Sequence, residues 1–353
     1  MRESPSLASL ATPAMLQEFL GRQGENSSPC GLLRSLVEAG YGNLPRPGSG
    51  RTLKRWQMLA AVAQFDLSLA KLYESHADAL AILHELGSGE PAADAAATWA
   101  VWCAEPPDRR VRIHADDEGD RDGDGAVRLH GTKAWCSGAG HLDRALVSAW
   151  NDQEQPCLVA VDLAQPGIRI APGTWPAIGM AATASTDIVF DDARGRLVGA
   201  PHAYLDRPGF HHGAGGIAAC WHGAASAIAA EVLRTARRRR DDAHVLAHLG
   251  LIDTALVQAR HQLRIAAAEI DAKPQQSCQH AVRRARLAAE SAAETVLIRG
   301  PRAFGPEPMC KDARLSRLLA DLPVFIRQSH AERDLAVHGA AVAEQATEIP
   351  WTL

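Results

Sequence analysis

The fold is decided by residues 131–149, which read GTKAWCSGAGHLDRALVSA. The end of this segment opens a short, mostly apolar run, Arg144–Trp150, and the glycines before it suit a turn. Runs of the same kind alternate with Gly, Pro and Asp over residues 96–200. They include Ala126–Leu129, Cys157–Leu163 and Asp187–Phe190. The middle of the chain is therefore predicted to consist of strands joined by turns.

Helical patterns flank this zone on both sides. Leu53–Leu86 spaces apolar residues three and four apart and contains no Pro or Gly. Downstream, alanine-rich helices are predicted at Ile217–Arg240, in a following segment whose apolar stripe ends at Ile270, and at Ala281–Ile298. Because strands and helices are segregated rather than alternating, the pattern predicts an α+β protein and argues against a doubly wound parallel sheet.

Length and composition narrow the class further. The chain has 353 residues, a net charge of −4 and seven cysteines, no two of which lie closer than 21 residues. The charge argues against binding to a nucleic-acid backbone, and the cysteine spacing argues against a disulfide framework or a zinc site. There is no run of about 18 apolar residues and no signal-peptide pattern, so we expect no membrane span and a cytoplasmic protein.

Three short motifs are tested and rejected. Asp120–Gly131 begins like a calcium-binding loop, but its twelfth position is Gly131 instead of the chelating Glu. Gly213–Ala218 has the glycine spacing of a dinucleotide-binding turn, but no strand precedes it. His211, His212 and His222 lack the HExxH spacing of a zinc-binding helix. No metal site is predicted.

Four segments together carry a family resemblance. They are Trp102–Pro106 (WCAEP), Gly131–Ala149, Trp175–Asp192 (WPAIGMAATASTDIVFDD) and Ala303–Gln328 (AFGPEPMCKDARLSRLLADLPVFIRQ). In this order and spacing they resemble the acyl-CoA dehydrogenase superfamily of flavoproteins, over about residues 10 to 340. The resemblance implies an N-terminal helical domain (1–94), a middle β-barrel domain (95–204) and a C-terminal four-helix bundle (205–353), which agrees with the three zones.

The resemblance also implies FAD as cofactor, between the β-domain and the bundle, with part of the site supplied by a second subunit. Trp135 would pack on the isoalloxazine ring, and Ser137 would donate a hydrogen bond to flavin N5 or O4. Arg238 would meet the pyrophosphate. The full set of residues assigned to the cofactor is Cys103, Ala104, Trp135, Ser137, Arg238, Phe304 and Gly305. Of these, the last two would lie near the cofactor of the partner subunit.

The usual catalytic base of the family has no counterpart. Dehydrogenation of an acyl thioester needs a carboxylate to remove the α-proton, and the family's glutamate falls on Ser329 in this chain. A second known place for that glutamate falls near Gly213. His330 and Glu332 are the candidate replacements, since a histidine titrates near neutral pH and Glu332 is close along the chain.

The resemblance therefore predicts an FAD-dependent oxidoreductase that transfers a hydride from an acyl-thioester-like substrate to flavin N5, with an atypical base. Two alternatives remain open at this point. One is a flavin monooxygenase on the same fold, in which His330 would assist proton transfer. The other is a non-catalytic partner subunit. The expected partners are a small-molecule substrate, further copies of the chain as a homodimer or homotetramer, and an electron-transfer or reductase protein.

Overall fold

The computed structural model describes residues 11–23, 27–87, 96–116, 125–171, 173–345 and 351–352. The calcium-like aspartates at 120–124 and the predicted domain boundary near residue 95 lie outside these ranges. Within them the protein is α+β, as predicted, with every described strand between Trp99 and Leu197 and helices on either side.

Among the described residues, four helices precede the sheet: α1 (Pro13–Gly21), α2 (Pro29–Glu38), α3 (Thr52–Phe65) and α4 (Leu67–Glu85). The single periodic segment seen in the sequence is thus two helices, because Asp66 interrupts it. Asp66 has an extended backbone, and its Oδ1 accepts a hydrogen bond from Leu69 N (2.7 Å), which caps the first turn of α4.

As far as the structure describes it, the sheet has seven strands, β1 (Trp99–Trp102), β2 (Val111–Ala115), β3 (Ala126–Cys136), β4 (Arg144–Trp150), β5 (Pro156–Asp162), β6 (Ile168–Ala171) and β7 (Thr186–Leu197). β3 pairs antiparallel with β2 and β7, and β5 pairs antiparallel with β7 and β4. A parallel pairing of Arg112 with Trp150 joins β2 to β4, so the pairings run in a closed ring of five strands. β1 pairs with β4 and β6 pairs with β7 outside that ring.

In the described part of the chain after the sheet, seven α-helices follow: α5 (Ala203–Asp206), α6 (Gly209–Arg238), α7 (Ala243–Ala272), α8 (Gln279–Phe304), α9 (Pro306–Lys311), α10 (Ala313–Phe325) and α11 (Glu332–Gln345). Asp242 caps α7 by accepting hydrogen bonds from the backbone of His244 and Val245. Helix α6 begins earlier than the alanine periodicity indicates, because its first turns are rich in Gly and His.

Helix α6 is the central helix of the second helical region. Gly215 lies against the Trp56 ring and Gly223 against the Ala60 carbonyl, so the absence of side chains lets α6 approach α3 closely. By length and composition alone α6 could cross a membrane, but 67% of its most apolar window is buried inside the protein. A buried core helix has the same composition.

One aspartate connects three parts of the fold. Asp321 on α10 accepts a hydrogen bond from Met180 N (2.6 Å) at Oδ1 and from the Ser68 hydroxyl (3.2 Å) at Oδ2. Met180 precedes the short 3-10 helix Ala181–Thr183, which leads into β7. The contact fixes the turn that carries Thr183 and Ser185 against α4 and α10.

Candidate functional site

The end of β3 presents a tryptophan to the surface. Trp135 has a left-handed backbone (φ 58°) where the β3–β7 register shifts between Lys133 and Cys136. Its side chain is 54% exposed, although Ala134 and Cys136 on either side are buried. The irregularity therefore turns one indole outward from an otherwise enclosed end of the antiparallel pair β2–β3, called the Trp135 hairpin below.

Asp187 holds this irregular backbone. Its Oδ1 accepts a hydrogen bond from Trp135 N (3.2 Å), and its other oxygen pairs with the guanidinium of Arg109. Asp187 is buried on β7, whereas Arg109 follows β1 and is partly exposed. The pair ties the loop after β1 to the Trp135 hairpin.

A chain of hydroxyl groups lies behind the tryptophan. Ser137 Oγ is 2.9 Å from Ser185 Oγ, which is 2.7 Å from Thr183 Oγ1, and all three residues are buried. Trp102 Nε1 donates to the carbonyl of Ser137 (3.0 Å). The end of β1, with Cys103 directly after it, is thereby held beside the hairpin.

An ion pair between a buried lysine and a partly exposed glutamate joins two of the sequence motifs. Lys133 Nζ donates to Glu105 Oε1 (2.5 Å) and Ser148 Oγ (2.7 Å), and the lysine side chain is fully buried. Burial acts to raise the pKa of Glu105, but hydrogen bonds from Lys133, Ser148 and Trp150 outweigh it, and the pKa lies below its usual value. Sequence reasoning missed this pair, although both residues lie in quoted motifs.

The remaining residues assigned to the cofactor lie elsewhere. Arg238, at the end of α6, is exposed and pairs with Glu231 (3.2 Å). Phe304 is buried at the end of α8, and Gly305 follows it with a positive φ of 76°. Among the described residues, no hydrogen bond or ion pair links these three to the Trp135 hairpin.

The segment expected to carry the base follows α10. The Ser329 hydroxyl donates to Glu290 Oε2 on α8 (2.5 Å), so a buried carboxylate lies beside the serine. The His330 side chain is 68% exposed, with Nδ1 3.8 Å from Asp334 Oδ1. Glu332 begins α11 and is exposed. Neither candidate base is enclosed in this structure.

An arginine fixes that segment to the start of α6. Arg286 Nη1 donates to the carbonyl of Ala214 (2.7 Å), and Nη2 donates to the carbonyl of Gln328 (3.2 Å). The guanidinium lies over the Trp221 ring, 4.8 Å from its centroid, and burial lowers the pKa of Arg286.

A cavity of about 420 Å³ opens between α4 and the start of α6. Its walls include Asp78 and Glu85 on α4, Arg207 after α5, and Gly209 and Gly213 on α6. Sequence reasoning missed it, because the two walls are more than 120 residues apart along the chain.

Tyr204 connects this cavity with the hairpin region. The Arg207 guanidinium lies 5.1 Å from the centroid of the Tyr204 ring. Burial raises the pKa of Tyr204 well above its usual value, and the adjacent Cys103 thiol raises it further. A series of neighbouring side chains therefore runs from the end of β1 to the cavity wall. It consists of Cys103, Tyr204 and Arg207.

Comparisons with known proteins agree on the architecture. No protein-family model and no curated protein sequence matches the chain. Solved structures do match. One is KijD3 in complex with FMN and a dTDP-linked amino sugar, at 19% identity and TM-score 0.75, covering 94% of this chain and 91% of that one.

Two further solved structures also match the chain. Methanesulfinate monooxygenase MsuC from Pseudomonas fluorescens is 21% identical, with TM-score 0.75. The match covers 96% of this chain and 95% of that chain. An electron transferring flavoprotein of Acidaminococcus fermentans is 15% identical, with TM-score 0.77. The match covers 97% of this chain and 99% of that chain. The chain thus has the fold of the acyl-CoA dehydrogenase-like flavoproteins, which confirms the resemblance carried by its four sequence motifs.

Proposed function

We propose that the protein is a flavin-dependent monooxygenase that acts on a small polar substrate. A reduced flavin would supply two electrons to dioxygen, so that one oxygen atom goes to the substrate and the other leaves as water. The alternative named from the sequence thereby becomes the preferred function. The predicted domains (1–94, 95–204 and 205–353), with a middle barrel and a C-terminal four-helix bundle, belong to the same proposal, as does a cytoplasmic location.

The Trp135 hairpin offers the groups that a flavin ring needs for stacking and for hydrogen bonds. The exposed indole offers a flat apolar face on which an aromatic ring can stack. The buried hydroxyls of Ser137 and Ser185 offer hydrogen bonds to the polar edge of such a ring. Backbone groups of Cys103 and Ala104 lie after the strand that Trp102 fixes to this hairpin. These residues would bind and orient the flavin.

The proposal includes FMN and FAD as alternative cofactors. The sequence predicts FAD, whereas the solved KijD3 and TdsC structures of this fold hold FMN. Arg238 is assigned to the pyrophosphate, which FAD has and FMN lacks. Phe304 and Gly305 are assigned to the partner subunit's cofactor. The role of Arg238 therefore exists only if the bound flavin is FAD. Comparing FMN and FAD affinities of an Arg238→Ala variant separates the two, since only FAD binding is expected to weaken.

The cavity between α4 and α6 is the observation that carries the choice of monooxygenase. Its walls contain the charged side chains of Asp78, Glu85 and Arg207, whereas an acyl chain needs an apolar tunnel. In addition, the two places expected for a dehydrogenase base hold Ser329 and Gly213. A polar substrate that receives oxygen needs neither an apolar tunnel nor that base.

The acyl-thioester dehydrogenase remains as a second candidate because of Glu290. This buried carboxylate lies 2.5 Å from the Ser329 hydroxyl, next to the place where the family's base is expected. In either reaction His330 or Glu332 would move the proton, if the segment carrying them closes over the substrate. We expect His330→Ala to abolish turnover and to leave flavin binding intact, with the neighbouring exposed Arg333→Ala as control.

Oxygen transfer distinguishes the two candidates. Purified flavin-loaded protein is supplied with a flavin reductase, NADH and ¹⁸O₂, and offered a panel of amines, sulfinates and hydroxylated compounds. Mass spectrometry is expected to find one ¹⁸O atom in a product. Anaerobic bleaching of the flavin by an acyl-CoA, without any labelled product, would instead establish the dehydrogenase. The same preparation tests whether the chain is a homo-oligomer, as the resemblance implies.

A further inference from the structure

Two carboxylates of α4 lie directly against two glycines of α6 at the wall of the cavity. Asp78 and Glu85 are seven residues apart on α4 and therefore lie on one face of that helix. A Cβ atom on Gly213 would come within 2.9 Å of Asp78 Oδ2, and a Cβ on Gly209 would overlap the Glu85 carboxylate. The glycines thus leave the room that the carboxylates occupy between the helices.

Each carboxylate is held by an arginine. Arg55 Nη2 donates to Asp78 Oδ1 (2.6 Å), and the Arg55 side chain is 2% exposed. Arg207 Nη1 donates to Glu85 Oε2 (2.7 Å), and Gly209 N donates to Oε1 (2.9 Å). A carboxylate has about four acceptor positions. Asp78 therefore retains acceptor capacity at Oδ2, beside Gly213.

Arg207 supplies a donor at the same cavity. Its side chain is 7% exposed, and within the described part of the chain its Nε has no hydrogen-bond partner. A buried N–H without an acceptor is unfavourable, so a ligand oxygen here would relieve that cost.

His212 adds a second acceptor. Burial lowers the pKa of His212, so the ring is neutral at neutral pH. Nε2 lies 2.8 Å from the Gln276 carbonyl and must carry the proton, because a carbonyl only accepts. Nδ1 is then left with a lone pair.

Each carboxylate of the cavity wall is balanced by an arginine. Asp78 pairs with Arg55, Glu85 pairs with Arg207, and His212 is neutral. An ion of either sign therefore gains little net attraction from these groups. A hydroxyl group both donates and accepts, and so matches an acceptor at Asp78 and a donor at Arg207 together.

We infer that this cavity binds a neutral polyhydroxylated molecule through Asp78 and Arg207. The inference rests on the proposed function, in which that molecule, or the part of it lodged here, belongs to the substrate. The volume of about 420 Å³ is in the range of small-molecule sites.

The test is binding of methyl α-D-glucopyranoside to the flavin-loaded protein, followed by ligand-observed NMR, with octanoate as an apolar anion for comparison. Wild type is expected to bind the glucoside and to prefer it to octanoate. Gly213→Ala is expected to weaken glucoside binding about tenfold, because its methyl group displaces the Asp78 carboxylate. Gly339→Ala, also a glycine inside a helix but with open space around it, should bind as wild type does.

Binding of octanoate in preference to the glucoside, no glucoside binding, or equal glucoside binding by Gly213→Ala and wild type would each overturn the inference. Asp78→Asn provides a second variant, since it keeps the shape of the side chain while losing its charge and one acceptor oxygen. Glucoside binding does not depend on turnover. A protein that binds the glucoside as expected but transfers no ¹⁸O would refute the proposed function alone.

Discussion

At the scale of single residues, the conformation of Trp135 carries the most functional information. A left-handed backbone at a bulky residue costs about 1–3 kcal/mol, and such strain collects at functional sites. Here Asp187 and Arg109 hold the strained backbone in place. The sequence placed Trp135 in the motif Gly131–Ala149. It could not predict the exposed ring, because that depends on an aspartate 52 residues away.

Replacing Asp187 with asparagine tests that contact. Arg109 loses its buried charged partner and keeps only the exposed Asp108, and we expect flavin affinity to fall about tenfold as the loop after β1 loosens. Asp108→Asn is the matched control, since exposed Asp108 also lies near Arg109 but makes no contact with Trp135. Flavin fluorescence titrations measure both. Equal affinities in the two variants would contradict the role given to Asp187.

His76 makes the stability of the fold depend on pH. Its Nδ1 accepts a hydrogen bond from Trp99 N (3.2 Å), which joins α4 to β1 and requires an unprotonated Nδ1. Burial lowers the pKa of His76 to about 4, from an ordinary value of about 6.5. Because the folded pKa lies below the unfolded one, the stabilising contribution is present above about pH 6.5 and is lost toward pH 4.

We therefore expect the free energy of unfolding to fall by about 2 kcal/mol more in wild type than in His76→Gln when the pH drops from 7 to 5. Urea denaturation at the two pH values measures the difference. Parallel losses in both proteins would show that His76 does not titrate as described.

At the scale of elements, the apolar periodicity predicts where the helices lie, whereas the glycines determine how closely the helices pack. The sequence predicted a helix near 217–240, and the structure has α6 over Gly209–Arg238. The break of the first predicted helix at Asp66 was missed, since a capping aspartate does not interrupt apolar periodicity. Strand positions such as Arg144–Trp150 were predicted correctly, whereas the ring of pairings depends on long-range register that one sequence does not reveal.

Gly223 is the sharpest test of helix packing. A methyl group there would overlap the carbonyl oxygen of Ala60 on α3. We expect Gly223→Ala to destabilise the protein by about 1–3 kcal/mol, despite the higher helix propensity of alanine. Gly250→Ala lies in a helix with open space around it and should gain up to about 1 kcal/mol. Thermal unfolding of both variants gives the comparison, and a stabilised Gly223→Ala would contradict the packing described.

At the scale of the whole molecule, the order of helical, β and helical zones was readable from the sequence, and four spaced motifs identified the fold. The cavity was not readable. Its walls combine the end of α4 with residues 207–213, and no local pattern marks a carboxylate that will face a glycine. The departures from the family at Ser329 and Gly213 were visible, but the carboxylates near them, Glu290 and Asp78, were found only in three dimensions.

The central claim is that a flavin binds against Trp135, and its affinity tests this most directly. Wild type and Trp135→Ala are titrated with FMN and FAD and followed by flavin fluorescence, with circular dichroism as the check on folding. We predict one bound flavin per chain in wild type and at least tenfold weaker binding in the folded variant, because stacking on the indole is lost. A wild-type protein that binds neither flavin, or a variant that binds as tightly as wild type, would contradict the account.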